Sequence, residues 1–518
     1  MAHVASSDSD FIEGGVELRR RLRRSLRWQK ARALLLIAPL LLFVLVTFVA
    51  PILDMLFRSV ENGIVSNSLP NTVAALRQWD GDREDLPGPE IYKALYFDLS
   101  LAVEQKIHTR VGSRLNYESP GIASQFRRAG RSITSFETGS YREHFIDADP
   151  AWESTEVLTG LFSDEAVVER LPDSANAFSI WAVRNAEKRR APADYIYVTL
   201  ANELVSRGPV SGLQGISREY KALFDNAVPG LADIEEPDWK GAFIESDERW
   251  ADPDLWKTLQ VFSPQFTDGY FLNSVDLKKG LDGIELRPEN ERIYIVIFWR
   301  TLFMSLTITI ACILLGYPVA YLLANLPTSK ANLLLILVLL PFWTSLLVRT
   351  SAWKVLLQQQ GVINDILVAI RIIGDGSRLV MINNQFGTIV AMTHILLPFM
   401  ILPMFAVMKT IPPSYVRAGR SLGATPWTAF RRIYFPLSMP GIGAGSILVF
   451  ILAIGYYITP ELVGGTKGTF ISNRIAYHIS SSLNWGLGAA LGTILLAAVL
   501  ILYWTYDRVV GIDNVKLG

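Results

Sequence analysis

The chain alternates between two kinds of material. Apolar runs near residues 33–56, 293–323, 333–357, 388–408, 441–459 and 487–506 are each long enough to cross a bilayer as a helix. The first would extend roughly 36 Å. It is longer than a signal-peptide core and no small-residue cleavage site follows it, so it predicts a transmembrane helix. Between the first two runs, residues 58–292 are charged, contain tryptophans and hold no run long enough to span. Segments such as IYKALYFDLSLAVEQKI and DYIYVTLANELVSR carry apolar residues at helical spacing. Breaks such as DLPGPE, YESPG and IEEPD separate them. The pattern predicts an all-α polytopic membrane protein with six transmembrane helices and a mainly helical extracytoplasmic domain.

The basic residues orient this arrangement. An arginine-rich tail at 1–32, the 327–332 connection with Lys330, the 409–432 segment and the C-terminal end with Arg508 and Lys516 fall on one side. Their positive excess marks that side as cytoplasmic, for both termini. The tail reads as a lipid-facing anchor rather than a nucleic-acid arm. The 58–292 domain and the 358–385 and 461–485 loops fall outside. The expected divisions are a tail at 1–32, a first span at 33–57, the inserted domain at 58–292, a membrane core at 293–510 and a C-terminal tail at 511–518.

Composition agrees with a membrane protein: 50% of the 518 residues are hydrophobic and the mean hydropathy is +0.27. Lys plus Arg and Asp plus Glu both number 49, so net charge names no partner. The single cysteine, Cys312, lies in an apolar run, which excludes disulfides and cysteine metal sites. Within residues 58–292 no G-x-S-x-G, H-E-x-x-H or P-loop pattern occurs, and His108 and His144 are far apart. No catalytic residue, metal ligand or cofactor-binding residue is assigned.

The densest set of structural signals lies in 412–440, PPSYVRAGRSLGATPWTAFRRIYFPLSMP. Ser414 is a suitable N-cap, Gly423 a helix stop, and Thr425 a second N-cap with Pro426 at the first helical position. Pro436 and Pro440 are expected to close the segment. Pro318, Pro398 and Pro403 predict kinks inside spans. Gly441, Gly443, Gly445 and Ser446 form a small-residue face for helix packing. Trp343, Arg349, Lys354, Tyr456, Tyr457 and Glu461 stand near the outer ends of spans, and His394 lies within one. Ionisable groups at that depth are candidates for function because burying them costs free energy. The alternatives are snorkelling cations, an aromatic belt and, for His394, a helix-packing hydrogen bond.

The 409–438 loop resembles the cytoplasmic EAA loop of bacterial ABC-importer permeases, through Arg417, Ala418, Gly419, Gly423, Ile433, Phe435 and Pro436. It departs from that pattern in Arg417 for glutamate, Gly419 for the second alanine and Phe435 for leucine. The blocks LLPFWTSLLVRTSAW, GVINDIL, ILLPFMILPMFAVM, SLGATP and ITPELVGG resemble permeases of the spermidine/putrescine type. The resemblance implies a type I importer permease fold in a bacterial inner membrane. It implies docking of Arg417, Ala418, Gly419, Gly423, Ile433 and Pro436 on a cytoplasmic ABC ATPase dimer, which would bind the ATP. It implies a second permease subunit and a periplasmic solute-binding protein as further partners. The expected solute is a small polar compound, a polyamine or a related amine or opine-like molecule, passing a candidate pathway at Trp343, Arg349, Tyr456, Tyr457 and Glu461. Relatives carry an aspartate where this chain has Gly455-Tyr456-Tyr457. Aromatic faces can hold an ammonium group by about 0.5–2 kcal/mol each. The competing readings are an extracytoplasmic enzyme or receptor anchored by its spans, and a secondary transporter that works without ATP.

Overall fold

The computed structural model describes residues 32, 34–81, 85–186, 190–207, 216–280 and 283–510. The 511–518 tail and all of the basic tail but Arg32 lie outside them. The chain forms two compact units, one made of Met1–Ser59 with Val296–Gly518 and the other of Val60–Ile295.

In the first unit, α1 (Leu34–Arg58) exposes apolar side chains along its whole length, as a lipid-facing helix does. α2 (Tyr294–Asn325) follows the inserted unit. It leads to α3 (Thr328–Leu339), α4 (Leu346–Leu356) and α5 (Gln385–Thr410). Then come α6 (Pro413–Ser421), α7 (Pro426–Gly455), α8 (Ile458–Val463), α9 (Ile471–Ser480) and α10 (Trp485–Val510). Among the described residues five helices are long and apolar enough to cross a membrane, and a bent pair makes up to six. That bent pair corrects the single span expected at 333–357. Pro341 has no N–H to return to the preceding turn, so a 3-10 turn (Leu340–Trp343) replaces the α-helix there. Thr344 is extended, and Ser345 opens α4 by accepting a hydrogen bond from the Val348 amide at 3.2 Å. The two pieces meet at 93°.

A second correction concerns Pro436 and Pro440. Neither ends a segment. The helix runs through both, because the Phe430–Tyr434 stretch widens into a π turn whose bond passes from the Phe435 amide to the Phe430 carbonyl. The missing amide of Pro436 is absorbed just after that widening. Pro318, Pro398 and Pro403 also lie inside helices. The small-residue face packs as expected at two positions. A Cβ on Gly441 would lie 3.0 Å from the Met404 Cα, and one on Gly445 would lie 2.7 Å from the Met400 Sδ. α5 and α7 therefore approach backbone to backbone, with methionines filling the remaining space. Met304, Ile308, Cys312, Met392, Leu396, Met400 and Val449 make the core around them.

Among its described residues the Val60–Ile295 unit is mainly helical, with one antiparallel pair, β1 (Leu277–Lys279) with β2 (Ile284–Leu286), and an isolated bridge between Glu61 and Phe266. It has two hydrophobic cores, one around Tyr92, Trp250 and Trp256, the other around Phe145, Trp152 and Phe224. Its chain enters and leaves through a paired neck. Thr267 donates to the Val60 carbonyl at 2.8 Å, and Asn62 donates to that of Gln265 at 2.7 Å. Further on, Asp276 accepts the amides of Ile293, Tyr294 and Ile295 at 2.9–3.0 Å.

Buried carboxylates also cap helices from a neighbouring element. Asp98 is 1% exposed. It accepts the Thr72 amide and hydroxyl, both at 2.7 Å, and the Asn71 side-chain amide at 3.0 Å. Burial raises its pKa from 3.8 to about 6, against those hydrogen bonds, which lower it. A carboxyl held above its unfolded value stabilises the fold below about pH 4 and loses that contribution as pH rises through about 6. Asp98→Asn is therefore expected to flatten the pH dependence of unfolding of this unit between pH 5 and 7.5, by about 1.4 kcal/mol. Thermal unfolding of variant and wild type at both pH values measures it, and parallel pH slopes would refute it.

Candidate functional site

The 413–438 segment is built by caps and close packing. α6 starts with Pro413 at its first turn and no side-chain cap. Ser414 is thus not the N-cap: proline at the first position leaves one fewer amide to satisfy. The helix ends in a Schellman motif. Gly423, at φ +90°, donates to the Arg420 carbonyl at 3.0 Å, and Ala424 donates to that of Gly419 at 3.1 Å. Thr425 then accepts the Thr428 amide at 3.2 Å, with Pro426 at the first position of α7, as expected.

The departures from the EAA pattern acquire reasons here. A Cβ on Gly419 would collide with the Ile433 Cδ1, so glycine lets α6 rest directly on the π turn. Phe435 joins an aromatic cluster. Its ring centroid lies 5.8 Å from that of Tyr317, while Tyr321 lies 5.9 Å from Phe430 and 5.0 Å from Tyr434. The Tyr317 and Ser438 hydroxyls are 3.0 Å apart. These contacts tie the hairpin to the end of α2. Arg417 and Ala418 are exposed, as are Arg420, Arg431 and Arg432. Among the described residues none of these four arginines makes an ion pair. Leu422 is 89% exposed and Trp427 67%. The result is a rigid cationic surface with apolar knobs.

The second group of candidates lies where α4, α7, α8 and α9 meet. The Thr350 and Thr459 hydroxyls, both fully buried, are 3.1 Å apart and join α4 to α8. Tyr456 leaves α7 in an extended conformation, and its carbonyl accepts the Ser472 hydroxyl at 2.6 Å. Asn473 donates to the Tyr457 carbonyl at 2.9 Å and to the Glu461 carboxylate at 2.7 Å. Arg349 lies within electrostatic reach of Tyr456 and His394, and its Nε has no hydrogen-bond partner. Arg349, Tyr456, Tyr457 and Glu461 thus belong to one neighbourhood. Trp343 stands apart on the α3–α4 bend, 72% exposed, with no ring partner among the described residues. His394 accepts the Trp353 indole N–H at 3.1 Å, which is a helix-packing role.

Glycines close this end of the unit. Gly465, at φ +55°, passes so near Asn383 that a Cβ would sit 2.7 Å from its carbonyl oxygen. Asn383 donates to the Val463 carbonyl at 2.8 Å, and the Thr388 hydroxyl to that of Gly468 at 3.1 Å. Arg300 of α2 donates to Thr466, and Thr301 accepts from the Ile471 amide. Asn473, Ser472, Thr350 and Thr459 escaped the sequence reading, and their only signal was a hydroxyl or amide beside an apolar run. The aromatic cluster had a clearer one, with Tyr317 and Tyr321, and Phe430 and Tyr434, each four apart on a helical face.

Residues 295–510, which hold both groups, match the family "Binding-protein-dependent transport system inner membrane component". The chain is 35% identical over 219 residues to the spermidine/putrescine transport system permease protein PotB of Haemophilus influenzae, covering 42% of this chain and 76% of the relative. It is 36% identical over 219 residues to PotB of Escherichia coli, covering 42% and 79%. It is also 34% identical over 225 residues to the inner membrane ABC transporter permease protein YdcU of Escherichia coli, covering 42% and 71%. Residues 60–294 lie outside the family match.

Proposed function

From the fact that this chain belongs to the binding-protein-dependent transport-system permeases, and so is a permease subunit of an ABC-type importer rather than an enzyme, we propose how its parts work. The α6–α7 hairpin is the coupling element, with Arg417, Ala418, Gly419, Gly423, Ile433 and Pro436 forming or shaping its contact with a cytoplasmic ABC ATPase dimer. The observation that carries this reading is its fixation at both ends, by a Schellman turn with a threonine cap and by the aromatic cluster on α2. A rigid, capped hairpin transmits a displacement that a loop would absorb. ATP binds to the ATPases, and their closure rocks the spans. Because four exposed arginines lie on the hairpin, the ATPase groove is acidic where it meets Arg417.

On this reading both termini are cytoplasmic and the Val60–Ile295 unit is periplasmic. A periplasmic binding protein delivers the solute, and a second permease subunit completes the passage. Arg349, Tyr456, Tyr457 and Glu461 line the pathway, with Trp343 at its bend. The solute is a small polar amine, a polyamine or an opine-like relative. The relatives' spermidine/putrescine names and the exposed Tyr457 face support an ammonium-bearing compound.

Reconstitution in vesicles with ATPase, second permease and binding protein tests this. ATP-dependent uptake of a labelled polyamine is expected, and Arg417→Glu should weaken ATPase co-purification about tenfold, with recovery when an acidic groove residue of the ATPase is changed to lysine. Uptake by this chain alone, without ATPase, would refute the coupling scheme.

A further inference from the structure

The Val60–Ile295 unit contains one structure twice. We infer that residues 69–162 and 171–260 are copies of a single ancestral segment, and that each copy has given its second half to the core of the other.

The evidence is residue by residue. Phe126, Phe145, Asp149, Trp152 and Leu161 recur as Phe224, Phe243, Asp247, Trp250 and Leu259, without a gap, each pair 98 positions apart (224 − 126, 243 − 145, 247 − 149, 250 − 152, 259 − 161). The local structures coincide. Pro150–Glu153 and Glu248–Ala251 are both 3-10 turns. Asp149 opens the first at φ −161°, ψ 122° and accepts the Ala151 amide. Asp247 opens the second at φ −164°, ψ 116° and accepts the Arg249 amide. The first halves agree as well. Leu69 (φ −132°, ψ 55°) precedes a helix starting at Pro70, and Leu171 (φ −124°, ψ 59°) one starting at Pro172. Asp98 accepts the Thr72 amide and hydroxyl, just as Glu203 accepts those of Ser174, at 2.8 and 2.6 Å.

The exchange is visible in which copy meets which. The Tyr92 hydroxyl of the first copy donates to the Trp250 carbonyl of the second at 2.7 Å, and Tyr197 of the second donates to Trp152 of the first at 2.9 Å. Phe126 meets Trp250 edge-on at 5.8 Å and 66°, and Phe224 meets Trp152 at 5.5 Å and 69°. One core therefore joins the first half of copy one to the second half of copy two, and the other core does the reverse. This is the geometry of a domain-swapped dimer written into one chain. Asp98 and Glu203, being equivalent, line a single cleft of about 580 Å³ between the copies. The equivalent crossovers 136–138 and 234–236 border another shared cleft. They are the two places among the described residues where the chain crosses between the cores, which also touch where the Glu104 carbonyl and carboxylate accept the Arg184 and Asn185 side chains at 2.8 Å.

Hydrogen exchange of the full-length protein in lipid nanodiscs tests the inference. Tyr92→Phe removes one buried hydrogen bond and is expected to speed exchange roughly two- to tenfold in 89–104 and in 239–262, leaving 141–161 unchanged. Tyr197→Phe is expected to do the same in 194–207 and 150–161, leaving 239–262 unchanged. Trp250→Phe and Trp152→Phe should give the same partition with larger amplitude. Acceleration that follows sequence neighbours instead, coupling 89–104 to 141–161, overturns the inference. So does a response spread over both cores, or none in all four variants.

Discussion

Gly423→Pro is expected to abolish ATP-driven solute uptake, by a factor of ten or more, while the protein still inserts and its remaining helices still form. Proline holds φ near −65°, whereas Gly423 sits at +90°, and the change also removes the amide that bonds to the Arg420 carbonyl. Together these cost about 3 kcal/mol or more at the elbow, enough to unfasten α6 from α7. The elbow itself is sterically open, since a Cβ on Gly423 meets nothing within 4 Å. Gly423→Ala thus isolates the backbone term, about 1–2 kcal/mol for a left-handed residue, and should fall between wild type and proline. Gly419→Leu attacks the same joint from its other side by driving a side chain into Ile433. Uptake and binding-protein-stimulated ATP hydrolysis in vesicles are the measurements. Near-wild-type uptake by both Gly423→Pro and Gly419→Leu would remove the coupling role from this hairpin.

The second large effect concerns the inserted unit. Joining Glu61 to Phe266 through a short glycine–serine linker is expected to leave ATPase co-purification intact and to lower binding-protein-dependent uptake about tenfold, the equivalent of some 1.4 kcal/mol of docking. The cut is placed at the neck, where Val60–Asn62 and Gln265–Thr267 already pair. It spares Asp276, whose carboxylate satisfies three amides at the start of α2. A deletion running to Asp276 would leave those amides without that acceptor and confuse loss of docking with damage to a span. Loss of the ATPase from the neck-cut protein would sink the proposal that this unit serves solute delivery. Unchanged uptake would sink it equally.

Much of the architecture was legible because hydrophobic run length and helical periodicity are local properties. The apolar helices, the mainly helical inserted unit, Thr425 as a cap and Gly423 as a stop all follow from near neighbours in sequence. The failures share a cause in proline. Pro341 breaks its span and Pro440 does not, although both interrupt apolar runs. The difference is that a π turn ahead of Pro436 and the backbone packing of α7 on α5 hold the second helix straight through. No window of residues contains that information. The candidate sites divide in the same way. Arg349, Tyr456, Tyr457 and Glu461 could be named from their positions near span ends, but Asn473, which ties two of them together, could not. The duplicated inserted unit hid because the retained residues are scattered anchors, and their partners lie in the opposite copy.

α7 has one more implication. Its 30 residues from Pro426 to Gly455 form one rod about 45 Å long, with Trp427 near one end and Tyr456 just beyond the other. A helix that continues unbroken through its π turn can act as a lever. If the end at Trp427 is held and the rod swings by about 5°, the end at Tyr456 travels about 4 Å. That stroke exceeds the diameter of a water molecule, so under the proposed coupling scheme a small turn imposed at Trp427 would suffice to open a water-sized gap beside Tyr456.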